Sequence, residues 1–296
     1  MRFPSAHSDW PALMLALALW LSGCNSMFYY PGNRDYFPPE KLNIKYDDRT
    51  FRTASGMGLH ARLFYHDTGS APRGLFVLFH GNAQNLTAHY LQFAWVLKRG
   101  YDLFVFDYPG YGLSEGRPTR KGTLESGNAA LAYVSAELAP PADQSLIVVG
   151  ESLGGAVMLR CVQDWRDRDK ATLLVAESSF DSYQGVARSV LAKSWVTWAF
   201  QPLAYVLVTD AGSPGHGMAS LHSPPLLVGL CLQDEVVDPV FSRRIYTAAA
   251  GPKWLWEAPD CGHIQVFKSQ TQRERLLCLI DSLHASRKPD DAKKDL

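Results

Sequence analysis

The sequence lacks an excess of charge of either sign and has no recognisable metal-binding motif. Lysine plus arginine equals aspartate plus glutamate at 29 each, and no basic stripe with interleaved aromatic residues occurs. This pattern excludes the electrostatic footprint of a nucleic-acid-binding protein, so we expect no nucleic-acid partner. Neither C-x-x-C nor H-E-x-x-H is present, so we expect no metal site and no cofactor.

A long transmembrane run is also missing near the N-terminus. The apolar stretch from Pro11 to Leu21 follows Arg2 and is too short to span a bilayer as a mature helix, which is typical of a signal peptide. It ends in Leu21-Ser22-Gly23-Cys24, which resembles the lipobox of bacterial lipoproteins, in which the cysteine is lipidated. The alternative is an ordinary signal peptide with a chance cysteine. Asn25 is not the aspartate associated with inner-membrane retention, so the resemblance favours the outer membrane, facing the periplasm.

The remaining cysteines show no regular spacing. Cys161 and Cys278 fall in predicted helices, Cys231 in a predicted buried strand and Cys261 in a loop. Export would permit disulfides, but the irregular spacing favours mostly buried free thiols, with pairing left open.

No internal repeat or low-complexity tract occurs, and 47% of the residues are hydrophobic while 20% are charged, as in a globular enzyme. We therefore predict a single catalytic domain between short terminal segments. The predicted divisions are a signal peptide at 1–23, a tether at 24–43, the domain at 44–287 and a charged tail at 288–296.

Short apolar runs alternate with helical stretches from Gly74 onward, which indicates βαβ units and a mostly parallel, doubly wound sheet of the α/β class. A hairpin turn at Ser55–Gly58 precedes them. The eight predicted strands are 45–53, 59–66, 75–79, 103–106, 146–149, 173–176, 225–230 and 254–257. The predicted helices are 85–99, 120–138, 153–164, 240–250 and 266–285.

An insertion at 181–222 interrupts this alternation. It is aromatic and nearly uncharged, and it emerges at the carboxyl ends of the strands, where ligands bind in doubly wound sheets. We expect a short cap over an apolar pocket; a packed helix is an alternative that does not exclude the first. The residues that suggest this are Trp195, Trp198, Phe200, Tyr205 and Leu207.

Ser152 stands in a G-x-S-x-G motif, directly after a predicted strand and before a predicted helix. This context predicts a nucleophile elbow, a sharp turn that exposes the serine hydroxyl. The backbone N–H of Leu153, at the start of the helix, is a predicted oxyanion donor. The second donor is predicted at Asn82, or alternatively Ala83, in the loop after the third strand.

The serine needs a histidine base and a carboxylate that orients the histidine, in the chain order Ser, Asp, His. Asp234 follows one late strand and His263 follows the last, so these two are predicted to complete the triad. Glu235 and Asp238 are alternative acids, although Asp238 suits a helix N-cap. His80 is an alternative base, although its place at a strand end suits a residue that braces the loop.

With these motifs the chain from about Phe51 to Ala285 resembles the α/β-hydrolase superfamily, and most of all its small-cap hydrolases, which include protein depalmitoylases and lysophospholipase-like enzymes. Leu232 departs from the resemblance, because relatives commonly carry glycine there. The loop that starts at Asp107 is read as a structural turn. The supporting motifs are His80-Gly81-Asn82-Ala83, Asp107-Tyr108-Pro109-Gly110-Tyr111-Gly112, the serine elbow, Asp234-Glu235-Val236-Val237 and Gly262-His263.

The expected function is hydrolysis of an ester or thioester of an acyl substrate through an acyl-serine intermediate. Two alternatives remain open: amide or peptide hydrolysis by the same triad, and a non-catalytic envelope binding protein on the same fold.

Overall fold

The computed structural model describes residues 29–287. The predicted signal peptide, the predicted lipidation site Cys24 and the charged tail lie outside the described residues. Within residues 29–287, no helix combines the length and the apolar character needed to cross a membrane.

The core of the fold is an eight-stranded sheet in the order β10-β9-β8-β7-β4-β6-β3-β2. β3 is antiparallel to both of its neighbours, β2 and β6. The remaining strand pairs of this sheet are parallel. The prediction of a doubly wound, mostly parallel eight-stranded sheet is therefore confirmed. The strands are β1 (Tyr30–Pro31), β2 (Tyr46–Arg52), β3 (Gly58–Phe64), β4 (Gly74–Phe79), β5 (Ala83–Gln84), β6 (Tyr101–Phe106), β7 (Ser145–Glu151), β8 (Leu173–Glu177), β9 (Leu226–Cys231) and β10 (Lys253–Ala258).

Seven α-helices lie within residues 29–287, and two of them continue directly into a 3-10 or π-helical segment. The α-helices are α1 (Leu86–Phe93), α2 (Arg120–Tyr133), α3 (Leu153–Asp164), α4 (Tyr183–Ala192), α5 (Leu203–Leu207), α6 (Pro239–Ala248) and α7 (Gln270–Arg287). The 3-10 segments are Pro39–Leu42, Ala94–Arg99, Arg168–Lys170, Trp198–Phe200, Pro214–Ser220 and Val266–Lys268, and Val134–Leu138 is a π-helix.

The two faces of the sheet are covered by separate hydrophobic clusters. Val77 and Phe79 of β4 face one cluster, while Phe76 and Leu78 of the same strand face the other. All six residues of β4 are buried. Continuous apolar strands are stable here because each face is removed from water by helices.

The predicted tether differs from the irregular connector that its composition suggested, because its described part is bound to the domain. Tyr29 is buried in the core, and β1 pairs in parallel with β5 in a separate two-stranded sheet. The backbone N–H of Gly32 donates to the Gln84 carbonyl at 2.8 Å. The chain therefore enters the domain beside the loop that follows β4.

The insertion after β8 folds into short helices, α4, Trp198–Phe200, α5 and Pro214–Ser220. Its two ends are joined because the Ser182 hydroxyl donates to the Asp210 carboxylate at 3.0 Å. We call residues 181–222 the cap. Its aromatic side chains are largely exposed, with Trp195 90% and Trp198 63% accessible, so they face solvent rather than an enclosed pocket.

Candidate active site

Ser152 lies at the sharp turn between β7 and α3 that the elbow motif predicts. Its backbone has φ 52° and ψ −118°, a left-handed conformation that non-glycine residues rarely adopt. The turn is held by its neighbour strand, since Ser152 N–H donates to the Glu177 carbonyl at 2.8 Å and the Ser179 hydroxyl donates to the Ser152 carbonyl at 2.9 Å.

Close approach of the helix to the sheet explains the glycines on both sides of the serine. A Cβ atom on Gly154 would lie 2.0 Å from the Phe79 carbonyl oxygen and 2.4 Å from that of His80. A Cβ on Gly150 would lie 2.5 Å from the Gly155 Cα. Only glycine fits at these positions, and the same closeness places the serine elbow against the loop after β4.

The loop that contains Asn82 is fixed by hydrogen bonds to two other segments. The Tyr111 hydroxyl donates to the Asn82 carbonyl at 2.6 Å, and the Tyr30 N–H donates to the Asn82 side-chain oxygen at 3.2 Å. Leu153 is the first residue of α3, where backbone N–H groups have no partner within the helix. The predicted oxyanion donors Asn82 and Leu153 thus lie on adjoining segments next to the serine.

His80, the alternative base, is fully buried and forms hydrogen bonds within the loop after β4 and with a neighbouring loop. Its Nδ1 lies 2.7 Å from the Gly81 carbonyl, and the Tyr108 hydroxyl donates to the His80 carbonyl at 3.0 Å. Asp107 is also buried and accepts from the Leu86 N–H at 2.7 Å. Burial alone would raise the pKa of Asp107, but His60 and His80 lower it, so a carboxylate is held at the core of this loop. Both residues have the surroundings of structural braces.

Asp234 and His263 come together as predicted. The His263 Nδ1 lies 2.8 Å from the Asp234 Oδ2. The other carboxylate oxygen, Oδ1, accepts from the N–H groups of Val236 and Val237 at 2.9 Å each. Burial opposes a charged carboxylate, but the bond to His263 lowers the pKa of Asp234, so the acid stays ionised and orients the imidazole.

The two alternative acids, Glu235 and Asp238, are placed differently from Asp234. Glu235 is exposed. Asp238 caps α6, because its Oδ1 accepts from the Val240 N–H at 2.9 Å. His216, in the Pro214–Ser220 segment of the cap, has a side chain that is 79% exposed.

The expectation of free thiols is wrong for two cysteines. Cys231 and Cys261 form a disulfide, with 5.2 Å between their Cα atoms, whereas Cys161 is a buried free cysteine and Cys278 an exposed one. The reason lies in the strand order: Cys231 pairs with Ala258 across β9 and β10, and Cys261 follows Ala258 by three positions. The disulfide joins the loop of Asp234 to the loop of His263.

The His263 loop is also tied to the strand next to the serine. The Ile264 N–H donates to the Ser178 hydroxyl at 3.2 Å, and the Val266 N–H donates to the Glu177 Oε1 at 2.7 Å. Ser178 and Ile264 both have positive φ, 49° and 50°. Strained backbone thus occurs at Ser152 and at both partners of this tie, which is common at functional sites.

Sequence reasoning missed a group of buried ionisable residues beneath the serine. We call Glu151, Glu177 and His89 the base network. Glu151 and Glu177 are register partners at the ends of β7 and β8 and are almost completely buried. The His89 Nδ1 lies 3.0 Å from the Glu151 Oε2, and its Nε2 lies 2.9 Å from the Ala83 carbonyl.

Two protonation states follow from this arrangement. The Ala83 carbonyl can only accept, so the His89 Nε2 donates to it, and the bond between the His89 Nδ1 and Glu151 favours the imidazolium. Burial opposes that charge, but the bond to Glu151 raises the pKa of His89 overall. Burial, and then the negative charge of Glu151, raise the pKa of Glu177 to about 8, so Glu177 is protonated at neutral pH. The sequence signal that could have revealed this network is a glutamate at the end of each of two largely apolar strands, β7 and β8.

Within the described part of the chain, no group of three or more histidine, cysteine, aspartate or glutamate side chains is arranged to hold a metal ion. The His263–Asp234 pair and the elbow at Ser152 are the groups that nucleophilic catalysis by a serine requires.

Comparison with known proteins gives consistent results for the fold. The family described as "Serine aminopeptidase, S33" matches residues 70–209. The protein YfhR of Salmonella typhi, described as uncharacterised, is 31% identical over 255 residues, which are 82% of this chain and 82% of that protein. The α/β hydrolase domain-containing protein WAV2 of Arabidopsis thaliana is 33% identical over 249 residues, 79% of this chain and 76% of that protein.

A solved structure shares the architecture at lower identity. The esterase Pf2001 of Pyrococcus furiosus superposes with a TM-score of 0.65 at 19% identity, covering 86% of this chain and 99% of that chain. At this identity the likeness concerns the fold alone.

Proposed function

Because this chain belongs to the α/β-hydrolase superfamily and is a hydrolase, we propose that it cleaves an ester or thioester of an acyl substrate through an acyl-serine intermediate. Ser152 is the nucleophile, His263 the general base and Asp234 the carboxylate that orients it. Asn82 and Leu153 supply the oxyanion donors. No cofactor takes part in this mechanism.

In the first half-reaction the Ser152 Oγ attacks the acyl carbonyl carbon while its proton passes to the His263 Nε2, the nitrogen that does not face Asp234. The negative charge on the carbonyl oxygen is stabilised by the N–H groups of Leu153 and Asn82; one such donor contributes about 10²- to 10³-fold in rate. The tetrahedral intermediate then collapses. The bond to the leaving oxygen or sulfur breaks, and His263 returns the proton to it.

In the second half-reaction a water molecule gives its proton to His263 as its oxygen attacks the acyl-serine carbonyl. The new intermediate expels the Ser152 oxygen, which regains the proton. The free carboxylic acid leaves, and the enzyme is restored.

The single observation that carries the proposal is the placement of these groups at the carboxyl ends of parallel strands: Ser152 with φ 52° at an elbow after β7 and, after β9 and β10, a histidine 2.8 Å from a buried carboxylate. Strained backbone of this kind is common where a side chain is held for catalysis. An esterase from Pyrococcus furiosus has the same fold, so this architecture accommodates ester hydrolysis in that protein.

The test is fluorophosphonate labelling of the wild-type chain beside Ser152→Ala, followed by turnover of p-nitrophenyl esters of increasing acyl length. We expect labelling only in the wild type and a loss of turnover of at least about 10⁴-fold in the variant. Absence of labelling in folded wild-type protein would favour the non-catalytic binding protein instead.

Amide hydrolysis is the second candidate, because the matching family is described as a serine aminopeptidase. The same triad cleaves amides when the leaving amine is protonated by the histidine. Aminoacyl p-nitroanilides assayed beside the p-nitrophenyl esters distinguish the two. A higher kcat/KM on the anilides would replace the ester proposal.

We further propose that the protein is a lipoprotein of the bacterial cell envelope, anchored at Cys24 and facing the periplasm from the outer membrane. The Cys231–Cys261 disulfide supports an oxidising compartment. The test is membrane fractionation of Cys24→Ala beside the wild type, with mass spectrometry of the mature N-terminus. An unmodified Cys24 in the wild type would contradict the anchor.

A further inference from the structure

The cap exposes an apolar surface that no part of the described chain covers. We call Trp195, Trp198, Phe200, Tyr205 and Val206 the cap face. Each is more than half exposed, from 52% for Phe200 to 90% for Trp195. No charged residue lies between Lys193 and Asp210. A soluble surface rarely presents this many large apolar side chains together unless something binds there.

Polar contacts hold the segment that carries the cap face in place. The Arg188 guanidinium carbon lies 4.7 Å from the centre of the Tyr205 ring. The Gln184 side-chain amide donates to the Val208 carbonyl at 2.7 Å, and Ser182 and Asp210 join the two ends of the segment. These contacts fix the segment that carries the cap face, and Tyr205 is still 55% exposed although it contacts Arg188.

The N-terminal segment enters the domain next to the root of the cap. Tyr29 and Tyr183, the first residue of α4, are buried in the same core cluster, and both lie within electrostatic range of Arg120. The Arg120 guanidinium lies 4.1 Å from the centre of the Tyr183 ring and also donates to the carbonyl of Thr209, at the far end of the cap. The position from which the chain continues toward Cys24 is therefore close to the cap.

The length of the intervening chain sets how far an anchor at Cys24 can lie from this point. Cys24 precedes Tyr29 by five positions. Five residues span at most about 18 Å when fully extended. A lipid attached to Cys24 would thus hold the cap side of the domain near the bilayer surface.

From these observations we propose that the cap face inserts into the interfacial region of a lipid bilayer. Tryptophan and tyrosine favour this region because their rings are apolar but carry one polar group. The uncharged segment offers a protein partner no ion pair for orientation, whereas a bilayer requires none. Stable membrane binding commonly needs two signals, and the cap face would be the second beside a lipid anchor.

Insertion would also orient the candidate active site. The Lys193 side chain, at the start of the uncharged segment, donates to the carbonyl of Glu235, the residue after Asp234. The cap face and the acid loop are therefore linked, and the acyl substrate would be drawn from the bilayer. This last clause rests on the proposed hydrolase function; insertion itself does not.

The first test measures insertion without turnover. The full-length chain is reconstituted in vesicles of phosphatidylethanolamine and phosphatidylglycerol, with and without brominated acyl chains that quench tryptophan. Subtracting the emission of Trp195→Leu/Trp198→Leu isolates the two cap tryptophans. We expect at least half of this difference emission to be quenched; no quenching would overturn the proposal.

The second test compares a polar with an apolar replacement. We expect Trp195→Ser/Trp198→Ser to lower the ratio of vesicle-borne to soluble ester hydrolysis by roughly tenfold, while the leucine pair lowers it much less. Leu42→Ser, at an exposed apolar residue before β2, is the matched control and should leave the ratio unchanged. Equal ratios in the serine and leucine pairs would contradict insertion through apolar contact.

The outcomes separate the two proposals. Quenching without any hydrolysis by the wild type would contradict the proposed function alone. Hydrolysis without quenching would overturn insertion alone. A wild-type dimer in solution that the serine pair converts to a monomer, together with unquenched tryptophans, would assign the cap face to a second copy and overturn the bilayer proposal.

Discussion

Beneath Ser152 ionisable side chains are buried and His89 pairs with Glu151, whereas the large apolar side chains of the cap face are exposed. Glu151 is fully buried and Glu177 2% exposed, yet Trp195 is 90% exposed. Burying ionisable groups is costly unless each has a partner, so the base network can exist only in one well-defined arrangement. Exposed aromatic rings set no such constraint within the chain. The base network therefore fixes the geometry around Ser152, whereas the cap face is available to bind a partner outside the chain.

The largest expected effect is on catalysis at the acid loop. Asp234→Asn keeps the size of the side chain but removes the charge that orients His263, so we expect kcat to fall by about 10³- to 10⁴-fold with little change in KM. Ester turnover measures this. Glu235→Gln, the exposed neighbour, is the control. A similar loss in both variants would mean that the loop rather than the carboxylate matters.

The next effect concerns the stability of the base network. Glu151→Gln leaves the buried His89 imidazolium without its counter-charge, which we expect to cost about 3 to 5 kcal/mol in the free energy of unfolding. Urea unfolding followed by circular dichroism gives the value. Glu137→Gln, on the exposed end of the helix after α2, should change it by less than about 0.5 kcal/mol. If Glu151→Gln lowered the unfolding free energy as little as Glu137→Gln, the contrast between the base network and the cap would be wrong.

A somewhat smaller loss is expected from the disulfide. Replacing both Cys231 and Cys261 by serine should lower the unfolding free energy by about 2 to 4 kcal/mol. It should also reduce kcat, because the loops of Asp234 and His263 are no longer joined. Unfolding and ester turnover are both measured. Cys278→Ser, at an exposed free cysteine, is the control. Unchanged turnover in the double variant would show that the other hydrogen bonds suffice to position the loops.

The pH dependence of stability tests Glu177. Its pKa of about 8 in the folded chain exceeds the ordinary value of 4.5, so the unfolded chain releases this proton at a lower pH than the folded chain. The contribution to stability is therefore present below the ordinary pKa and is lost as pH rises toward about 8. Glu177→Gln mimics the protonated form, so we expect a smaller fall in stability between these pH values. Unfolding at several pH values measures this; an unchanged slope would exclude Glu177 as its source.

The smallest effect is expected in the cap. Trp195→Ser/Trp198→Ser removes side chains that contact solvent, so the unfolding free energy should change by less than about 0.5 kcal/mol per residue. The same urea assay applies. A loss comparable to that of Glu151→Gln would mean that the cap face packs within the domain in solution, and the contrast between the two regions would disappear.

The sequence by itself determined the parallel core of the sheet, because β4, β6, β7, β8 and β9 are nearly continuous apolar runs that are buried on both faces. All eight predicted strands occur within two residues or so of their observed bounds, and α3 begins directly after Ser152. The candidate triad residues Ser152, Asp234 and His263 could also be predicted from local context, since each stands directly after or near the end of a strand. Their catalytic roles stay a prediction.

Only the tertiary structure decided which distant groups meet. The disulfide was missed because spacing along the chain does not show that β9 and β10 are neighbours. The base network was missed because Glu151, Glu177 and His89 lie on three different elements and come together only when β7, β8 and α1 pack. The outward direction of the cap aromatics was likewise invisible, since composition records that a segment is apolar but not which side it presents. Local propensity acts over a few residues, whereas pairing, burial and exposure depend on contacts between segments far apart in the chain.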